Sequence, residues 1–223
     1  MHTRSRAFSL AFLFAVLIAC GDDRPDIIRP NVPAAGELFQ SYVALGDGWA
    51  AGFQSSGMND STQREAYPQF LARQFGTRYA FASLALPGCP PPVVNFHTQA
   101  RAGGGTAASC ALRSLTSLTE RLNNVAVPGA ASVDATSPSS TNSNALTTFI
   151  LGGKTQLQKA LDARPTFVTV GFVNGDFIAA AASGILTATP AVSPGVTTTG
   201  MFASNIAAVV DPLISSPTRR SPL

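Results

Sequence analysis

Charged side chains are scarce in this chain: Asp, Glu, Lys and Arg together make up 12% of its 223 residues. That share argues against an intrinsically disordered chain or a polyelectrolyte tail. Three cysteines are too few for a disulfide-built miniprotein or a cysteine-rich zinc protein. What the chain does have is 45% hydrophobic residues, which is enough to bury the core of one domain.

The net charge of +3 does not indicate a nucleic-acid partner. Two of the positive charges, Arg4 and Arg6, lie in the first six residues, and the rest of the chain is nearly balanced. No stripe of Lys and Arg follows, so we expect no binding to a phosphate backbone. The glycines after the first predicted strand lack the dinucleotide-binding spacing, and no cluster of metal ligands is visible, so we expect no cofactor and no metal.

The N-terminus has the layout of a secretory signal. A basic start is followed by thirteen apolar residues, Ala7–Ala19, a run too short to span a bilayer comfortably. The run ends in Leu-Ile-Ala-Cys, which resembles a bacterial lipobox with Cys20 as the lipidated residue. The resemblance implies a signal peptide over residues 1–19 and a lipid anchor in the bacterial cell envelope, outside the cytoplasm, with the membrane as partner. The alternative is a plain signal peptide or a buried helix.

Residues 20–40 are expected to form a flexible tether, because the segment from Asp22 to Gly36 is polar, rich in proline and without periodicity. With Cys20 assigned to lipid, Cys89 and Cys110 remain. An oxidising compartment favours a disulfide between them, which would hold a loop rich in proline and glycine. The alternative is two independent small apolar residues.

Short apolar runs separated by helical patterns predict an α/β fold, a parallel sheet with helices on both faces. Strands are predicted at 41–46, 123–127 and 166–172, and helices at 61–75, 108–122, 155–163, 177–182 and 202–213. Residues 133–144 and 185–200 are predicted loops. In such a sheet a site lies at the carboxyl ends of the strands.

Three blocks at those strand ends resemble the SGNH (GDSL) hydrolases, in their bacterial lipoprotein branch. The blocks are Tyr42–Phe53 (YVALGDGWAAGF), Asn123–Ala130 (NNVAVPGA) and Phe167–Asp176 (FVTVGFVNGD). The resemblance implies a three-layer α/β/α, flavodoxin-like fold and the activity of a serine ester hydrolase. It also implies a nucleophilic serine, oxyanion donors from a glycine and an asparagine, and a late Asp-x-x-His that supplies the base.

The sequence departs from that pattern at most of these positions. Gly48 occupies the nucleophile position and has no hydroxyl, whereas Gly129 keeps the glycine donor. Alignment on Asp176 places Gly175 at the asparagine position, with Asn174 one residue early. A serine needs an adjacent base, and the loss of one oxyanion donor lowers the rate about 100- to 1,000-fold. We therefore expect negligible ester hydrolysis.

Other residues are weaker candidates for these roles. Ser55, Ser56 and Ser61 are expected to be loop hydroxyls or a helix cap, and His97 to be a surface residue. Trp49 either lines a pocket for an acyl group or a sugar, or belongs to the core.

No Asp-x-x-His follows Asp176, and the strand that the family pattern places after residues 202–213 is absent. We therefore expect a partial SGNH-like domain over 41–214, incomplete at its C-terminus by truncation or frameshift, and an unstructured tail over 215–223. Such a sheet would have an open edge. The alternatives are a shorter natural domain, a lipid-anchored binding protein for an acyl ester or glycan, and a fragment without a stable fold.

Overall fold

The computed structural model describes residues 36–110, 112, 121–137, 142–184 and 195–216. The predicted signal peptide, Cys20 and most of the tether lie outside these ranges. So do most of the helix predicted at 108–122, most of the loop predicted at 185–200 and most of the tail. Within the described ranges no helix is both long enough and apolar enough to cross a membrane.

Two parallel strands form the centre of a mixed α/β structure. Strand β1 (Tyr42–Gly46) pairs with β4 (Phe167–Gly171) in parallel, from Tyr42 opposite Phe167 to Gly46 opposite Gly171. Both strands lie where the apolar runs predict them. The residues just before the two strands are also bonded to each other, since the Ser41 N–H donates to Thr166 Oγ1 over 2.9 Å.

The predicted strand at 123–127 runs beside β1 but forms only one parallel bridge with it, from Asn124 to Ala44, and on its other side Asn124 forms a parallel bridge with Phe81. Three backbone bonds join the segment to β1: the Ala44 N–H donates to the Asn123 carbonyl over 2.8 Å, and the Val125 and Val127 N–H groups donate to the Ala44 and Gly46 carbonyls over 3.0 Å each. The ladder stops there because the Gly46 N–H, which would donate to the Val125 carbonyl in a regular ladder, donates to Gln156 Oε1 instead. The three segments predicted as strands therefore lie side by side in the order 123–127, β1, β4, which is second, first and third along the chain.

Helices connect these strands, and a short antiparallel pair, β2 (Val93–Asn95) with β3 (Ala100–Arg101), lies between them in the chain. The α-helices of the described ranges are α1 (Gly48–Ala51), α2 (Asp60–Arg64), α3 (Tyr67–Phe75), α4 (Ala145–Leu151), α5 (Gln156–Asp162), α6 (Ala179–Ser183) and α7 (Thr199–Ser215). Shorter helical turns occur at Glu37–Phe39 and Ser132–Ala135, with a π-helical turn at Asn174–Ile178.

The single helix predicted at 61–75 is wrong, because the chain forms two helices there. Helix α2 is capped by Asn59, whose Oδ1 accepts the Thr62 N–H over 3.0 Å, and not by Ser61. Helix α3 then begins afresh with Pro68 in its first turn, where the missing N–H would have no helical acceptor. Two local start signals, Asn59 and Pro68, therefore give two helices in place of the one predicted.

Helices α5 and α7 confirm the predictions at 155–163 and 202–213, although α7 begins three residues earlier. Thr155 caps α5 by accepting the Gln158 N–H. Helix α4 is not predicted, and Asn144, the last residue of the predicted loop, is its cap. The helix predicted at 177–182 begins inside the π-helical turn and continues as α6.

Both faces of β1 are covered. Val43 and Leu45 point into the main core, which includes Phe149, Leu151, Val209 and Leu213 from the helices. Tyr42 and Ala44 point to the other face, where an aromatic cluster of Phe39, Tyr42, Phe75, Tyr79 and Phe167 packs with ring centroids 4.1 to 5.8 Å apart.

Candidate functional site

The three predicted blocks leave the sheet at one edge. Gly46, the last residue of β1, pairs with Gly171 of β4 and accepts the Val127 N–H from the other side. Gly48 lies two residues after Gly46, and Gly129 lies two residues after Val127. Asn174 lies three residues after Gly171. Because carboxyl ends of parallel strands meet at one edge, the register brings the three blocks together.

The Asp47 side chain is buried and connects the segments that follow β1 and β4. Its carboxylate is 1% exposed and accepts three backbone N–H groups: Trp49 on one oxygen at 3.0 Å, and Val173 and Asn174 on the other at 2.8 and 2.7 Å. Its own N–H donates to the Gly171 carbonyl. A buried carboxylate satisfied in this way fixes the segment after β4 against the end of β1.

Gly48 starts α1 and is buried, with no side chain to form an acyl intermediate. A Cβ added there would lie 3.1 Å from the Cβ of Phe53, so a serine fits only if Phe53 moves by a few tenths of an ångström at its Cβ. Gly129 has a φ of +85° and is exposed. Within the described part of the chain, neither the Gly48 nor the Gly129 N–H has a hydrogen-bond acceptor. Neither N–H is therefore held by another group of the described chain, and of the two residues Gly129 is exposed whereas Gly48 is buried.

Gly175 stands where an asparagine is expected from the resemblance, and its surroundings exclude any side chain. A Cβ there would lie 2.6 Å from the Ala130 carbonyl oxygen and 2.9 Å from the Ala131 Cα. Asn174 is partly exposed, and its backbone N–H is held by Asp47. The amide side chain next to the strand end is thus that of Asn174.

Asp176 is buried in a second polar cluster and does not face the edge. One carboxylate oxygen accepts the Ser132 N–H at 2.7 Å and the other accepts the Ser132 hydroxyl at 2.8 Å. Ser132 Oγ in turn accepts from Asn205 Nδ2, and the Asp176 carbonyl accepts the Thr197 N–H. The cluster joins the π-helical turn to α7 and to the turn at Ser132–Ala135.

Two residues that sequence reasoning missed shape the same edge. Gln156 is 1% exposed, and its side chain bonds both the N–H and the carbonyl of Gly46, at 2.9 and 3.0 Å. Asn144 Nδ2 donates to the Pro128 carbonyl at 2.8 Å and so supports the turn at Gly129. The only sequence feature that could have predicted this role of Gln156 is its place at the start of a helix, and that feature is weak.

Large apolar side chains are exposed around the strand ends. Trp49 is 66% exposed, Phe177 55% and Val173 46%. The Trp49 and Val173 N–H groups share the Asp47 carboxylate, and the Phe177 N–H donates to the Val173 carbonyl, so backbone bonds connect the three. Trp49 therefore lies beside the site and does not belong to the core.

The other candidates lie elsewhere. His97 is exposed in the turn between β2 and β3, with its N–H bonded to Asn95. Ser55 and Ser56 form a turn with φ values of 51° and 54°, and Ser61 is exposed on α2. None of these side chains follows the end of a parallel strand.

Cys89 and Cys110 form a disulfide with a sulfur–sulfur distance of 2.09 Å. Among the residues that the structure describes, no group of three His, Cys, Asp or Glu side chains is placed to hold a metal ion. Comparison with family models, curated proteins and solved structures finds no match to this chain.

Proposed function

We propose that this chain is an SGNH-like ester hydrolase domain that no longer hydrolyses esters. The observation that carries the proposal is the edge itself: Gly48, Gly129 and Asn174 follow adjacent strand ends, and the Gly48 and Gly129 N–H groups have no acceptor in the described ranges, but the position for the nucleophile has no hydroxyl. The donors can polarise a carbonyl oxygen, yet nothing beside them can attack the carbonyl carbon.

A three-layer, flavodoxin-like arrangement is part of the proposal. The three predicted parallel segments lie in the order second, first, third, in which a central first strand has a later strand on each side, as in doubly wound sheets; a single parallel bridge from Asn124 to Phe81 lies beyond them. Apolar side chains cover both faces of β1, as a sheet between two helical layers requires.

The test compares the chain with the variant Gly48→Ser, which restores a hydroxyl at the nucleophile position and requires a small movement of Phe53. We expect neither protein to cleave p-nitrophenyl acetate above the buffer rate, and neither to be labelled by a fluorophosphonate. The reason is that His97, the one histidine in the described ranges, lies on the β2–β3 turn and cannot act as base at Gly48.

Thr148→Ser is the matched control, because it leaves an exposed hydroxyl on α4. Turnover by the unmodified chain at typical enzyme rates of about 1 s⁻¹ or more would refute the proposal. Turnover gained only by Gly48→Ser would show that a base is present and would refute that part of the explanation.

Binding without catalysis is a second candidate function, and the exposure of Trp49 favours it. An exposed indole at the strand ends suits a ligand with an apolar or sugar face, such as an acyl ester or an acylated glycan. Trp49 is the only tryptophan, so its fluorescence reports binding directly. Saturable changes with an acyl ester or a glycan would support this function. Flat titrations of the folded protein would refute it.

Lipid anchoring at Cys20 in the bacterial cell envelope is the remaining part of the proposal. Incorporation of an alkyne-labelled fatty acid into the expressed chain, abolished by Cys20→Ser, is the expected result. Equal labelling of both proteins would refute it.

A further inference from the structure

The outer edge of β4 has unpaired backbone groups. The Phe167 N–H donates to the Ser41 carbonyl, and the Asp47 N–H donates to the Gly171 carbonyl. In a parallel ladder alternate residues face the same neighbour, so Phe167, Thr169 and Gly171 face β1. The N–H and carbonyl groups of Val168 and Val170 consequently point away from β1. Within the described ranges, no hydrogen-bond partner lies on that side.

Within the described residues, this edge lacks the charge, the proline and the bulge that keep sheets apart. Soluble proteins protect an open edge with charged side chains, proline or a bulge. From Phe167 to Gly175 the chain has no ionisable side chain and no proline, and β4 pairs with β1 without a register shift. All five β4 residues are partly exposed.

We infer that the outer edge of β4 pairs with the same edge of a second copy of this chain. The two strands run antiparallel about a two-fold axis at Thr169, because this register places Val168 opposite Val170 of the second copy. Each such pair exchanges two N–H···O bonds, so four bonds form. The lack of charge means that the strand can approach its own copy without like-charge repulsion.

The register makes Thr169 the diagnostic position. Thr169 faces its own counterpart in a non-hydrogen-bonded pair, where Cα atoms of antiparallel strands lie about 4.5 Å apart. That separation is within the range that a disulfide spans. A cysteine at this position should therefore join two copies covalently.

The experiment uses the full chain with Cys20→Ser, to which Thr169→Cys is added. Thr148→Cys on the exposed surface of α4 is the matched control. Light scattering of the Cys20→Ser protein should give a dimer at about 50 µM. Mild oxidation should then cross-link Thr169→Cys at least 10-fold faster than Thr148→Cys. A monomer, or equal cross-linking of the two variants, would overturn the inference.

A second measurement does not need Thr169→Cys and so still tests the inference if that variant does not fold. It is hydrogen exchange of the Cys20→Ser protein. The peptide that contains residues 166–172 should exchange at least 10-fold faster after dilution to monomer, because the Val168 and Val170 amides lose their acceptors. Exchange that does not depend on concentration would overturn the inference. Ester hydrolysis enters neither measurement, so the outcome is independent of the proposed function.

Discussion

Strands β1 and β4 pair in register, yet they differ sharply in burial. Tyr42, Val43, Ala44 and Leu45 of β1 are 0% exposed, whereas every residue of β4 is partly exposed. The strand β1 has a neighbour on each side, and β4 has one neighbour in the described ranges. The difference shows that position in the sheet decides burial, since both strands are apolar runs of similar length.

The largest expected effect tests the connection between the two strand ends. In Asp47→Ala the N–H groups of Trp49, Val173 and Asn174 lose their common acceptor inside the protein. We expect the free energy of unfolding to fall by about 3–5 kcal/mol, measured by urea denaturation.

Asp162→Ala is the control for that change. Asp162 forms an exposed ion pair with Lys154, and such pairs contribute about 0–1 kcal/mol. If Asp47→Ala cost no more than this control, the strand ends would be held together by other contacts.

The next effect compares two residues that face each other across the ladder. Val43 of β1 is opposite Val168 of β4, and both contact the main core. Truncation of the fully buried Val43 to alanine should cost about 2 kcal/mol, and truncation of Val168 about 1 kcal/mol. Equal losses in urea denaturation at low protein concentration would show that β4 is as well covered as β1.

How far the sequence predicts this fold depends on the range of the contacts. Strands β1 and β4 and helices α5 and α7 follow from local signals, namely apolar runs and capping residues. Helix α4 escapes prediction because its cap, Asn144, ends a run of Ser, Thr and Asn that is typical of a loop. The break between α2 and α3 escapes because its one local signal is Pro68, and a proline also fits the first turn of a helix.

The candidate site is less predictable, because its main contacts join residues far apart in the chain. The spacing of the motifs locates Gly48 and Gly129, but the partners of Asp47 lie 126 and 127 residues away. Gln156 reaches Gly46 over 110 residues. No local pattern encodes that Gly175 packs on the Ala130 backbone, which excludes an asparagine at that position.

The smallest effect concerns the tyrosines on the aromatic face of the sheet. The Tyr42 hydroxyl is 2.8 Å from Thr169 Oγ1 and so connects β1 to β4, whereas the Tyr79 hydroxyl has no hydrogen-bond partner within the described ranges. Tyr42→Phe should therefore cost about 1 kcal/mol at pH 7 in urea denaturation, and Tyr79→Phe nothing or less. Equal losses would contradict the assigned bond.

The two tyrosines also determine how the free energy of unfolding changes with pH above 10. Burial raises the pKa of both Tyr42 and Tyr79 above the usual value of about 10. Above pH 10 the unfolded chain therefore loses protons that the folded chain keeps, and each such tyrosine lowers the free energy of unfolding by about 1.4 kcal/mol per pH unit. Tyr79→Phe should reduce this slope without weakening the protein at pH 7. An unchanged slope would mean that Tyr79 ionises equally in the folded and unfolded chain.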